Sequence, residues 1–473
     1  DKEFVDKYVY GFQEYKNYVS TFTPERACEI TGVDAELIRK AARLYAYNKP
    51  SGIQFSVSTI VHHINGFQNY RAVFSLIALT GNYDVEGGNR AMPEPVSPCN
   101  EFGKVKRYDG EEAIGEKDFP IWFDLPCQEA QCTRIADYIL EEEPYPVKAV
   151  FAMGLNHRMW PQPNELQRAF GALDFYVNVE LFWSESSRMA DLVLPACTTF
   201  EREEVKTLRG GMFALNERMV EPLGESKNDI EIIMELAKRI GLEDEVLSSD
   251  YESYMDYILK PSGLTLQDLR EHPEGMKGKV LIPPRIQTYR EEPFHTKSGK
   301  IELYSLALDK YRESRGYEPL PVYHDFRDQR DVDREMYPLI LSTGARKPQF
   351  FHARLYRLSW LSALETNPAV EIHPEDARKY GIKDGDRVRV SSPAGEMEGI
   401  AVSSINGNPG VVYIYHGNPK GEANNLIHRS YFDPYTGFPG YKSYFCNIEK
   451  LDQRERKRKE EAEVTGDDGA NEI

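Results

Sequence analysis

Residues 146–160 read PVKAVFAMGLNHRMW, and this stretch decides the fold class. The apolar run from Val147 to Met153 predicts a buried strand, and Gly154 opens the loop after it. PNELQRAFGAL (residues 163–173) predicts a helix, and FYVNVE (175–180) and DLVLP (191–195) predict two more strands. Strand, loop, helix, strand is a parallel α/β unit of nucleotide-fold character. Ligands of such sheets sit beyond the carboxyl ends of the strands. The loops that begin at Gly154, Glu180 and Pro195 are therefore the candidate binding loops.

Working outward, residues 196–211 (ACTTFEREEVKTLRGG) crowd charge and backbone freedom behind a strand. Arg202 among Glu201 and Glu203 reads either as a solvated charge run or as an anion contact. Arg209-Gly210-Gly211 would let backbone approach a phosphate. The helix in SKNDIEIIMELAKRIG is capped near Asn228 and stopped by Gly241. Upstream, Thr23-Pro24 starts a short helix that Gly32 ends, and Asp34 caps another with Leu37, Ile38, Ala41, Leu44 and Tyr45 on one face. Ile53 to Val57 reads as a strand. A further helix carries the stripe Ala72, Val73, Leu76 and Leu79. From Tyr337 the texture changes to short strands (LILSTG, AVEI, DRVRVSS, EGIAV, GVVYIYHG) broken by DGD, PAG and NPG, the pattern of a small β-barrel.

The expected organisation is an α/β lobe over residues 1–92, an irregular excursion over 93–145 and an α/β nucleotide-binding lobe over 146–245. A connecting segment (246–336), a β-barrel domain (337–450) and a disordered charged tail (451–473) follow.

The bulk numbers narrow the function. The 473 residues suffice for roughly three domains, and the formal net charge is -18. A polyphosphate partner needs a basic face, so nucleic acid is excluded. A small anionic cofactor in a local pocket is not. No apolar run reaches the roughly 18 residues of a membrane span. The six cysteines are scattered; Cys127 and Cys132 lie close but fit no zinc or redox spacing. The adjacent His62 and His63 lack the further partners that zinc needs. Metalloprotease, serine hydrolase and P-loop motifs are missing. The chain opens on Asp1, and the expectation is that it starts inside a longer protein.

The order of the pieces carries more. LTGNYDVEGGN (79–89), GLNH (154–157), SSRMADLVLPACTTFEREEV (186–205) and PLGESKNDIEIIMELAKRIG (222–241) come first. FHTKSGKIELYS (294–305), LSTGARKPQFFHA (341–353), AVEIHPEDARKYGIKDGDRVRVSSPAGE (369–396) and ANNLIHRSYFDPYTGFPGYKSYFCNIEK (423–450) follow. Nearly the whole chain thereby resembles the molybdopterin oxidoreductase family of dimethyl sulfoxide reductase type. The resemblance implies two α/β lobes followed by a barrel of double-psi type. It also implies a molybdenum or tungsten ion held by two pterin guanine dinucleotides.

Site roles follow from the resemblance residue by residue. Asn156 matches the asparagine of the first nucleotide loop, Glu180 matches an acidic guanosine contact that is usually Asp, and Val179 beside it is a further cofactor-binding candidate. Arg202 matches a lysine position, and Asp229 a guanine partner ahead of its helix. Thr343, Gly344, Arg346, Phe351 and His352 belong to the loop that wraps a pterin, written TGAR here instead of TGR. His416, Asn425, Tyr441 and Lys442 match later cofactor contacts. Ser58 and His62 match a loop nearer the metal, where Met and Gln are frequent. His62 is the candidate catalytic residue, as proton carrier or as hydrogen-bond partner of a pterin.

No residue of this chain is expected to ligate the metal. The family's iron–sulfur cysteines and metal-ligating residue would lie upstream. The implied activity is oxygen-atom transfer or two-electron redox of a small substrate, with an iron–sulfur electron-transfer subunit as partner. The alternatives are a non-redox hydratase of the same family and a metal-free electron-transfer subunit. The retained TGAR, ANNL and GYK segments argue against the last.

Overall fold

The computed structural model describes residues 1–90, 112–124, 130–208, 210–279, 285–328 and 332–451. Arg209, Cys99, Cys127 and the tail beyond residue 451, all read above, lie outside them. The fold is mixed α/β with a closed six-stranded barrel toward the C-terminus.

The expected parallel unit is present. Strands Ala149–Met153, Phe175–Glu180 and Leu192–Pro195 form a parallel sheet with Phe175–Glu180 in the middle. The middle strand is buried from Tyr176 to Glu180. The first strand starts later than expected and is not buried, because it is an edge packed on one face only; Phe151 and Met153 face outward. Helix Pro163–Phe170 covers the packed face through Leu166, Ala169 and Phe170, with Ile139 and Tyr176 in the same core. Ile139 belongs to a helix, Ile135–Glu141, inside the stretch expected to be irregular. Its seven residues are too few to show a helical period between flanking acids and prolines.

The crowded charge of residues 201–204 is used locally. The Glu201 carboxylate accepts from Thr198 N–H at 2.7 Å and Leu223 N–H at 2.8 Å. Glu203 pairs with Arg270 at 2.7 Å. Gly210 and Gly211, both at positive φ, turn the hairpin of Glu204–Leu208 and Met212–Asn216. Helices Tyr251–Leu259 and Leu266–Glu271 pack against that hairpin.

In the first lobe, helices Pro24–Thr31 and Ala35–Tyr47 start at Thr23 and Asp34 as expected. The apolar face of the second is exposed at Leu37 and Leu44. The strand expected over Ile53–Val57 does not form. The Asn89 side-chain amide takes both polar groups of Ile53, at 2.9 Å each, so no neighbouring strand is needed. Helix Gly66–Thr80 buries Gln68, Ser75, Ile77 and Ala78 instead of the stripe through Leu76. That face meets polar groups: Gln68 donates to Tyr435 Oη at 2.9 Å and to the Glu318 carbonyl at 3.1 Å. The Asn65 side chain makes no cap bond. The free Phe67 N–H is capped by Asp433, 366 residues away, at 2.9 Å.

The barrel runs Ala369–Ile372, Gly395–Ser403, Arg387–Ser392, Tyr444–Lys450, Leu339–Ala345, Val411–Tyr415 and back. Five of these strands match expected segments; Tyr444–Lys450 closes the ring. Alternate residues point inward, and Leu341, Val370, Val388, Val390, Val412 and Ile414 form a dry centre. Leu339–Ala345 and Val411–Tyr415 are parallel neighbours. Their carboxyl ends therefore emerge side by side, and His416 N–H donates to the Ala345 carbonyl at 3.2 Å.

Candidate cofactor site

Those two strand ends open onto a cavity of about 670 Å³ between the barrel and both lobes. Ser58, His62, Gly344, Arg346, His352, His416, Tyr441 and Lys442 line it, so eight of the residues singled out in the sequence converge there. Among the described residues no carboxylate lines it, although the chain carries a net charge of -18. Among the described residues its ionisable wall is Arg346, Lys442, three imidazoles, the Tyr441 phenol and the Cys132 thiol.

The imidazoles are held neutral. His352 Nδ1 meets His416 Nε2 at 3.1 Å, and the other ring nitrogen of His352 faces Arg346. Burial first, then Arg346 and His416, push His352 down to about 4. Burial also lowers His416. His62 is pushed down to about 4 by burial, with Lys442, His63 and His416 adding to it. Its ring stacks on Phe438 at 5.0 Å and meets Tyr441 edge-on at 5.6 Å. Gly344 makes this packing possible: a Cβ there would sit 2.6 Å from His62 Nδ1. That nitrogen is buried and makes no well-formed hydrogen bond, with the Gly344 backbone close to the ring.

Phe351, His352 and Ala353 have φ of 38°, 56° and 73°, three consecutive left-handed residues without a glycine. Each such residue costs of order 1–3 kcal/mol, and surrounding contacts must hold it. Asn156 supplies one, its side-chain N–H donating to the His352 carbonyl. Arg354 supplies another, donating to the Gly154 carbonyl at 2.8 Å. Gly417 allows the closest approach, since a Cβ there would meet Ala353 Cβ at 2.9 Å. Phe351 itself is 50 % exposed and does not line the cavity.

A small pocket of about 100 Å³ lies on the other side of this loop, at the carboxyl edge of the parallel sheet. Asn156 and Glu180 line it with Arg158, Arg354 and Arg357. Glu180 is buried, accepts from the Leu181 N–H at 2.8 Å, and lies 3.8 Å from Arg354. Val179 is buried beside it in the middle strand. Arg158 pairs with Glu185 and, at 3.3 Å, with Glu422. Burial raises Glu422 to about 7.

Some expected residues lie elsewhere. Arg202 and Asp229 pair with each other at 2.8 Å beyond the strand Leu192–Pro195 and line neither cavity. Thr343 is fully buried and donates to the Tyr441 carbonyl through its N–H at 2.7 Å. Asn425 accepts from the Asn164 N–H at 3.3 Å, and its neighbour Asn424 lines the large cavity. Asn424 donates to the Arg158 carbonyl at 2.7 Å, joining barrel and lobe. Arg158, Arg354, Arg357 and Asn424 escaped the sequence reading. The one available signal was the basic spacing of RLYR just after the TGAR loop.

The donor set suits an anionic ligand with polar edges. Two cations, neutral imidazoles, the amides of Gln131 and Asn424 and, among the described residues, no carboxylate favour negative charge in a low-dielectric cleft. Among the described residues no group of three or more His, Cys, Asp or Glu side chains is placed to hold a metal ion.

Two family models match the chain: Molybdopterin oxidoreductase over residues 47–239 and Molydopterin dinucleotide binding domain over residues 339–445. Acetylene hydratase of Syntrophotalea acetylenica is 29% identical, over 93% of this chain and 62% of its own length. Dopamine dehydroxylase of Eggerthella lenta is 26% identical, over 93% of this chain and 53% of its own. Trimethylamine-N-oxide reductase of Haemophilus influenzae is 28% identical, over 88% and 56%. This chain thus spans between half and two thirds of these relatives. The solved acetylene hydratase from Pelobacter acetylenicus superposes with a TM-score of 0.80 at 25% identity, covering 95% of this chain and 68% of that one. The chain belongs to the molybdopterin oxidoreductase family of dimethyl sulfoxide reductase type, whose cofactor is molybdenum or tungsten held by two pterin guanine dinucleotides.

Proposed function

We propose that this chain is the cofactor-binding part of a molybdenum or tungsten enzyme for oxygen-atom transfer or two-electron redox of a small substrate. The observation that carries the reading is the cation-lined cavity of about 670 Å³, free of carboxylates among the described residues, in an otherwise acidic chain. Arg346 and Lys442 would hold the anionic cofactor there, with Asn424 and neutral His352 and His416 reading its polar edges. Arg354 and Arg357 would face a phosphate, and Glu180 a guanine or ribose edge. Arg202 and Asp229 belong to the same nucleotide rim in this reading. When bound, the metal–dithiolene group supplies the two-electron chemistry. His62, neutral and wedged between Phe438 and Gly344, would carry a proton or hold a pterin through a hydrogen bond. Electrons would pass to or from an iron–sulfur subunit.

One observation favours a second reading, non-redox hydration: acetylene hydratase is found by both the sequence and the structure comparison. Elemental analysis and guanine nucleotide release from the full-length protein test the cofactor. A folded preparation grown with both metals but holding neither would overturn it. Substrate-dependent bleaching of a reduced viologen is expected of the redox enzyme and not of a hydratase.

A further inference from the structure

A second cavity, of about 470 Å³, lies along helix Gly66–Thr80. Phe67, Tyr70 and Phe74 line it from one helical face, at the three-and-four spacing that stacks side chains. Val61, Trp122, Ile301, Leu303 and Phe438 complete its apolar wall. Phe74, 43 % exposed, stands at the mouth.

Two charged side chains reach this wall, and both are committed to the protein. Arg71 donates to Gln68 Oε1 at 2.8 Å and to the carbonyls of Pro319 and Leu303 at 2.6 and 3.3 Å. The Glu302 carboxylate accepts from the Ser298 and Leu306 N–H groups at 2.9 Å each. Ser75 Oγ donates to the Arg71 carbonyl at 2.9 Å. The opposite charges leave no net charge to draw an ion in. Burial lowers Arg71 to about 10, as a dry surrounding requires. A charged guest would lose its hydration against groups already satisfied.

This cavity adjoins the larger one. Trp122 and Phe438 line both, and Phe438 is the ring that stacks on His62. Phe438 is held firmly. The Asp433 N–H donates to its carbonyl at 2.8 Å, and Gly437 before it has φ of 75°. One aromatic ring therefore separates the apolar cavity from His62.

We propose that the 470 Å³ cavity binds an uncharged single-ring aromatic molecule, the substrate of the reaction proposed above or its apolar half. Aromatic walls favour such a guest through offset and edge-on contacts, and the volume falls in the range of small-molecule sites. The substrate assignment rests on the proposed cofactor function; the binding assignment does not.

The test is a ligand-observed NMR titration of the full-length protein with toluene and with benzoate. Saturable toluene binding is expected, with benzoate at least roughly tenfold weaker, because its carboxylate would be desolvated where the one cation is already committed to Gln68 and two carbonyls. Val61→Trp fills the cavity and Phe74→Asp charges its mouth. Each should weaken toluene binding by about tenfold or more, with circular dichroism confirming the fold. Phe74 is exposed, so that variant tolerates a polar side chain even if Val61→Trp does not fold. Non-saturable toluene binding, equal benzoate binding, or a folded Phe74→Asp that binds toluene as wild type would each overturn the proposal. Metal and guanine content measured on the same samples separates the two readings. Toluene binding in a protein without metal keeps the cavity and fails the cofactor function; metal without toluene binding does the reverse.

Discussion

Gly344→Ala is the sharpest test of how the large cavity is built. The added Cβ would lie 2.6 Å from His62 Nδ1, 3.0 Å from Tyr441 Cβ and 3.2 Å from Lys442 Cε. The backbone at Gly344 is one that any residue adopts, so the whole effect is steric. Lys442 Cε can swing aside, but the two nearer neighbours are held: His62 is stacked on Phe438, and Tyr441 is anchored by its hydroxyl to the Met159 carbonyl at 2.7 Å. Overpacking of this kind costs about 1–3 kcal/mol. Urea unfolding followed by near-ultraviolet circular dichroism measures it. Gly407→Ala is the control, because nothing lies within 4 Å of its Cβ position; it should stay within about 0.5 kcal/mol of wild type. Removing the ring with His62→Ala should relieve the clash. Gly344→Ala should therefore cost less in that background, with a coupling of about 1 kcal/mol or more. A Gly344→Ala protein as stable as the control, with no coupling to His62, would refute the close approach.

Glu180→Ala and Asp229→Ala should lower metal and guanine content of the full-length protein while leaving it folded, each removing a charge-assisted hydrogen bond of about 1.5–3 kcal/mol; full occupancy in both would remove these residues from the nucleotide site. His62→Gln should cut turnover by about 10²-fold if His62 moves a proton. Turnover near wild type would assign it to holding the pterin. Stability should also fall as pH drops from about 6.5 to about 4. Over that window the unfolded chain protonates His62, His157 and His352, each pushed down to about 4 in the fold, and the native chain does not. Glu422, raised to about 7, works the opposite way between pH 7 and 4.5 but is outnumbered. A urea midpoint that is flat or rises on acidification would contradict this.

Alternation made the barrel readable. In Arg387–Ser392 every second residue is buried, and a period of two shows in six residues. Caps made the helix starts readable, because Thr23, Asp34 and Asn228 use their own side chains. Long-range pairing was not readable. Nothing local says that Asn89 will satisfy Ile53 and abolish a strand, or that Tyr435 will draw Gln68 into the interior. The site divided the same way. TGAR marked the strand end that carries Gly344 and Arg346. The left-handed run at 351–353 contains no glycine or asparagine to announce it. Asn424 and Asn425 are chemically identical in sequence, and only the turn Ala423–Leu426 decides which faces the cavity.

The Asp433 cap has a consequence for biosynthesis. The start of helix Gly66–Thr80 is completed by a carboxylate made 366 residues after Phe67. At roughly 5–20 residues per second, the ribosome needs roughly 20–70 s to deliver it. For that interval the nascent helix carries an unsatisfied N-terminus and an aromatic face without its Phe438 wall. The first lobe emerges early yet matures late, and a chaperone that shields residues 66–80 during elongation would guard the segment that waits longest for its partner.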